Sequence, residues 1–232
     1  PVTVPQLASV LVHPLSGAQV LEALDALRGR SLIERGQQTG SFTLQSVVLE
    51  YTTTRLIAAA LSEIERGHLN FLIDHGLEMA NGKEYIREAQ VRLLVAPILA
   101  RLRSSLPEPS VLEARLLALL ELLRGQSDEV QGYAPANLLA LLRTARGDLS
   151  GLDLHRLSLR NVHLRGVHLR DASLAEATLR DALFTQATDT IWTMAFSRNG
   201  TYWAGGNRQG HVQLWLYNQR RLQHTWRAHH ST

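Results

Sequence analysis

From residue 149 to residue 184 a bulky apolar side chain returns at every fifth position: Leu149, Leu154, Leu159, Leu164, Leu169, Leu174, Leu179 and Phe184. Two positions before each stands a second inward candidate, Gly147, Leu152, Leu157, Val162, Val167, Ala172, Ala177 or Ala182. Neither a helix, which repeats near 3.6, nor a flat strand, which repeats at 2, has a period of five. A right-angled β-solenoid does. Each five-residue side turns a corner and sends its central Leu and smaller partner inward, so that stacked coils bury what no single coil can.

These residues resemble the pentapeptide-repeat family, in which four pentapeptides close one square coil. The resemblance implies that the eight repeats make two coils, with residues 20 apart on the same side. Leu159 then stacks on Leu179 and Leu164 on Phe184 inside, while Arg156 lies beside Glu176 and Asn161 beside Asp181 outside. Leu152, Leu157, Val162 and Val167 are larger than the Ala usual in that family and imply a widened first coil. His155, His163 and His168 are expected at exposed outward sites on different sides, solvated rather than metal-bound.

The segments around this repeat are of three further kinds. In residues 1–66, Pro5 suits the first turn of a helix reaching about Val12. Ser16 caps a second helix with Val20, Leu21, Leu24 and Leu27 inward, ending near Gly29. Ser31–Glu34 and Ser41–Leu44 read as strands joined by the Gln37-Gln38-Thr39-Gly40 turn, with a long helix after them. Helix, helix, hairpin is the plan of a winged helix lacking its first helix. Residues 67–145 keep a helical period, through Ile86, Val91, Leu94 and Ile98, then Leu112, Leu116, Leu120 and Leu123, then Leu138, Leu139 and Leu142. Pro107 and Pro109, then the Gly125–Gly132 region, divide these into separate helices of a bundle or spacer. Residues 187–232 hold four strand-like runs, Thr190–Ser197, Thr201–Gly205, Val212–Tyr217 and Gln223–Trp226. The fold class expected is multidomain α+β: winged helix (1–66), all-α spacer (67–145), solenoid (146–186) and one β-propeller blade (187–232).

Composition narrows the chemistry. A chain of 232 residues that is 45% hydrophobic and 19% charged buries a real core. Arg or Glu interrupts every leucine run, which leaves no membrane-spanning stretch. The absence of Cys excludes disulfides and thiolate chemistry and suits a reducing, cytoplasmic setting. There is no phosphate-cradling Gly-rich loop followed by Lys-Ser/Thr, no Gly-x-Ser-x-Gly elbow and no His-Glu-x-x-His helix, so this segment is not expected to be an enzyme or to hold a metal. The His229-His230 pair reads as a blade connector. Pro1-Val2-Thr3-Val4 has neither an initiator Met nor a signal sequence, and the chain reads as cut from a longer one.

Ile191 to Gly200 followed by Gly210-His211-Val212-Gln213-Leu214-Trp215 resembles one blade of a WD-repeat propeller, departing from it where Leu216 follows the Trp and Gln209 takes the usual turn Asp. Leu21 to Glu34 and Phe42 to Tyr51 resemble the winged-helix domain of bacterial STAND signalling ATPases of the NB-ARC type, and the order of the four zones resembles one bacterial branch of that family. The resemblance implies an upstream NTPase domain using ATP/ADP, further propeller blades downstream, a protein or ligand trigger at the propeller, and homo-oligomerisation on activation. In that family a Met-His-Asp motif touches the ADP phosphate; Leu44-Gln45-Ser46 falls there, leaving Gln45 as the one possible phosphate contact. Two alternatives stand beside this reading: a winged-helix DNA-binding regulator with a protein-interaction propeller, and a structural adaptor. DNA binding is disfavoured, because residues 1–66 carry a net charge of −1 and Glu22 and Asp25 lie on the helix that would enter the groove.

Overall fold

The computed structural model describes residues 2–36, 40–79, 84–164, 166–184, 191–207, 210–217 and 221–228. The Gln37–Thr39 turn, Gln209, His229 and His230, and the side chain of Phe184, lie outside the described residues. Mixed helices and several small sheets make it an α+β chain, and it divides into two compact units, residues 1–183 and 184–232.

The first unit begins with a small lobe. β1 (Val2–Thr3), α1 (Val4–Val10), α2 (Gly17–Gly29), β2 (Ile33–Arg35) and β3 (Ser41–Leu44) form it, and the antiparallel sheet order is β1-β3-β2. Thr3 and Ser16 start the two helices through capping boxes with Gln6 and Gln19. Val20, Leu24 and Ile33 form a closed core with Val4, Leu7, Leu11 and Phe42 packed on it. β1 has no sequence signal of its own. Two residues are too few for an alternating pattern, and only pairing of Val2 with Phe42 and Thr3 with Ser41 makes them a strand.

α3 (Ser46–Arg66) leads into the helical body, α4 (Phe71–Asp74), α5 (Glu84–Gln90), α6 (Ala96–Ser105), α7 (Pro109–Leu123), α8 (Asp128–Gln131) and α9 (Ala134–Arg146). The 3.6 period of the second segment is broken at Val91–Val95, a π-helical turn in which Ala96 N–H donates to Val91 O. Pro97 explains it: a proline lacks its amide donor and crowds the preceding turn, and one widened turn accommodates both. α9 is the centre of the body, with Ala134 to Leu142 all buried. Gly132 precedes it at φ +49°, where a Cβ would come within 2.3 Å of Ile73 O. No larger residue fits.

After α9 the chain winds into stacked coils. β4 (Ser158–Arg160) pairs in parallel with β6 (Thr178–Arg180), Leu159 opposite Leu179, and β5 (His163–Leu164) pairs with β7 (Leu183–Phe184). Leu149 N–H donates to His168 O, Leu154 N–H to Ser173 O and Asn161 N–H to Arg180 O, each bond spanning about one coil. The last residue of seven of the eight pentapeptides, Gly151, Arg156, Asn161, Gly166, Asp171, Glu176 and Asp181, has φ between 53° and 71°. Gly meets this left-handed corner without cost, and Asn and Asp are the side chains that tolerate it best.

The second unit is a four-stranded antiparallel sheet ordered β11-β10-β9-β8, from β8 (Ile191–Phe196), β9 (Tyr202–Asn207), β10 (His211–Leu216) and β11 (Arg221–Arg227). Trp203 and Trp215 stack on one face, 5.5 Å apart and 7° from parallel. Met194, Phe196 and Tyr217 remain exposed on the sheet.

Candidate functional site

Gln45, the residue singled out for phosphate contact, is the N-cap of α3. Its backbone N–H donates to Leu32 O at 3.3 Å, its carbonyl accepts from Leu49 N–H at 2.8 Å, and its side chain does not cap the helix. It joins the lobe to the helical body. Glu22 and Asp25 are exposed on α2, and Asp25 pairs with Arg28 at 3.0 Å.

The histidines of the coils do not share one fate. His168 is exposed, and His155 Nδ1 lies 2.8 Å from both Asp153 oxygens, beside Arg124. His163 is buried, contrary to the expectation that all three are solvated. Its side of the coil is covered by the helical body, where Arg143 Nη1 donates to His163 O at 2.6 Å. Burial foremost, then Arg87 and Arg143, push the imidazole below its usual range, with Glu78 and Glu84 opposing. Among the described residues no group of three or more His, Asp or Glu side chains is arranged to hold a metal.

Polar side chains weld the first coil to the body. Arg143 Nη2 donates to both carboxylate oxygens of buried Glu78 at 2.9 and 3.0 Å, and Asn161 Nδ2 donates to Glu78 O. Gln131, also buried, accepts from Ser158 N–H at 2.7 Å and donates to Arg156 O, satisfying an edge that a preceding coil would otherwise pair. Arg124 donates to His155 O and Asp153 O. The corner pair Arg156–Glu176 forms at 2.7 Å across the two coils and draws the Glu176 carboxyl below its usual range. Gln131, Tyr133, Arg143 and Arg160 had no motif to mark them. Each acts on a segment more than 20 positions away, and single positions carry no such information.

The burial of the repeat leucines follows from the same cover. Leu149, Leu154, Leu159 and Leu164 are at most 1% exposed, whereas Leu179 in the second coil is 45% exposed. In the second unit the Trp215 indole nitrogen is buried and has no hydrogen-bond partner among the described residues.

Comparison with known proteins bears on the repeats. The family described as pentapeptide repeats, in 8 copies, matches residues 148–186. An uncharacterized WD repeat-containing protein of Nostoc sp. is 30% identical over 262 aligned residues, covering 99% of this chain and 21% of its own length. The chain therefore spans about a fifth of the curated relative it matches. No solved structure matches. The chain thus carries pentapeptide repeats and aligns along its length with part of a WD repeat-containing protein. Among the described residues no helix is long and apolar enough to cross a membrane.

Proposed function

We propose that this chain is the regulatory and sensor-linking arm of a cytoplasmic, nucleotide-switched signalling ATPase of the STAND class. In this reading residues 1–66 are a winged helix without its first helix, 67–145 a spacer, 146–186 a short right-angled solenoid and 187–232 the first blade of a WD-repeat propeller. The order of these parts carries the reading. A three-stranded sheet ordered β1-β3-β2 around two helices, a helical body, stacked 20-residue coils and a four-stranded antiparallel sheet follow one another in one chain. The alignment of 99% of the chain with a much longer WD-repeat-containing protein supports it.

The arm works between two ends. A protein or ligand captured by the propeller relieves inhibition, ADP exchanges for ATP on an NTPase domain ahead of the lobe, and the protein oligomerises. Gln45, at the junction of lobe and body, offers one amide hydrogen bond to a nucleotide phosphate. The arm has no catalytic residue of its own. The test is the longer gene product: it binds and hydrolyses ATP, and purified residues 1–232 do neither. Turnover by residues 1–232, or no nucleotide binding by the longer protein, overturns the assignment.

A further inference from the structure

α1 ends at Val10 without a cap of its own. Leu11 is extended, at φ −72° and ψ 133°, so the carbonyls of the last turn have no partner inside the helix. They are taken up by two other parts of the chain. Tyr133 Oη, from the start of α9, donates to Val10 O at 2.7 Å. Arg160 Nη2, from the first coil, donates to Ser9 O at 3.3 Å and Leu11 O at 3.2 Å. The Arg160 guanidinium lies 4.9 Å from the centroid of the Tyr133 ring, so one cation–π contact braces both donors.

Beside these bonds Val12, outside the lobe's own core, is buried at the junction. The lobe's apolar core is its own, closed by Val20, Leu24 and Ile33. A further polar contact is an exposed pair, His13 with Asp74 at 3.8 Å, of a kind worth little. Beside the bonds runs a crevice of about 520 Å³, lined by Leu11, Leu15, Leu56, Met79 and Tyr133 among others. The polar contacts by which the lobe meets the body are thus replaceable hydrogen bonds, and its covalent connection passes through Gln45.

We propose that Arg160 and Tyr133 form a releasable latch through which the first coil holds the N-terminal lobe against the helical body, so that disturbance of the coil frees the lobe to turn about Gln45. Its use in signalling rests on the regulatory-arm reading, but the latch itself is tested without nucleotide. The chain has no cysteine, so Thr43→Cys in the lobe and Ala114→Cys on α7, both at exposed positions, accept spin labels specifically. In the labelled full chain the parent gives one narrow distance distribution. Arg160→Ala broadens it and speeds amide exchange across residues 4–12 about tenfold, the loss expected for hydrogen bonds from a charged donor. Tyr133→Phe, which deletes a single oxygen, speeds the same amides about fivefold and leaves the coil amides of Leu154 and Asn161 protected. Arg156→Ala, on the same coil but paired with Glu176, changes neither readout. An unchanged distance distribution and unchanged exchange in both latch variants overturns the proposal, as does equal release by Arg156→Ala. ATP hydrolysis by the longer protein enters none of these readouts, so failure of the ATPase reading and failure of the latch are separable.

Discussion

Leu159 and Leu179 occupy the same place in their pentapeptides and pair with each other across the coils, yet truncating them should have very different costs. Leu159 is 0% exposed, with α9 of the helical body on one side and the second coil on the other. Leu159→Ala removes a fully enclosed side chain and leaves a cavity that neither neighbour can collapse into, which places it at about 3 to 5 kcal/mol. Leu179 keeps 45% of its surface in contact with solvent. Its truncation forfeits roughly half of a side-chain burial and opens no closed cavity, about 1 kcal/mol. The assay separates the two units cleanly. Among the described residues the nine α-helices lie in residues 1–183, whereas the four tryptophans, Trp192, Trp203, Trp215 and Trp226, lie in residues 184–232. Thermal unfolding followed by far-UV circular dichroism therefore reports the unit that contains both leucines. Leu159→Ala lowers that midpoint by roughly 10 °C and Leu179→Ala by only about 2 to 4 °C. Equal shifts, or a cost below about 1 kcal/mol for Leu159→Ala, would refute the inference that cover by the helical body decides the burial of the first coil.

Three further outcomes follow from particular contacts. Asn137 is 2% exposed; its Oδ1 accepts from Leu77 N–H at 2.7 Å and its Nδ2 donates to Leu72 O and His75 O at 2.8 Å, so Asn137→Ala strands three backbone groups and costs about 3 to 5 kcal/mol in denaturant titration. A loss under about 1 kcal/mol would mean that those groups find other partners. His163 is held below its usual range by burial, with Arg87 and Arg143 adding to the effect, so the unfolded chain binds more protons than the fold just below about pH 6.5. Its contribution to stability is complete above that value and is lost as pH falls through the window down to the folded value. The parent melting midpoint thus drops further than that of His163→Gln between pH 7.5 and 5, and parallel curves contradict the assignment. Exposed Glu22 and Asp25 on α2 limit duplex DNA binding to the nonspecific range of about 10⁻⁴ to 10⁻⁶ M, and sequence-specific nanomolar binding in a mobility-shift assay would favour the DNA-binding alternative.

Local chemistry made much of this chain legible in advance. The five-residue period, the capped start of α2 at Ser16 and the four strand runs of the second unit all express backbone preferences of neighbouring residues, and they appear in the structure with ends shifted by a few positions. The left-handed corners came only with the structure, although Gly, Asn and Asp, which tolerate that conformation, hold five of the seven sites. What the sequence could not determine is which equivalent residues end up covered. Leu159 and Leu179 differ in burial, and His163 and His168 differ in exposure, although each pair shares a repeat position. α9 and its neighbours cover mainly the first coil and reach the second through the Asp128–Arg180 pair at 3.6 Å, and Gln131 and Arg143 find their partners across that boundary while Arg160 reaches the N-terminal lobe. A repeat specifies the shape of each coil through bonds within and between coils. Burial is a property of whatever stands next to the coil, and that was decided only when distant segments packed together.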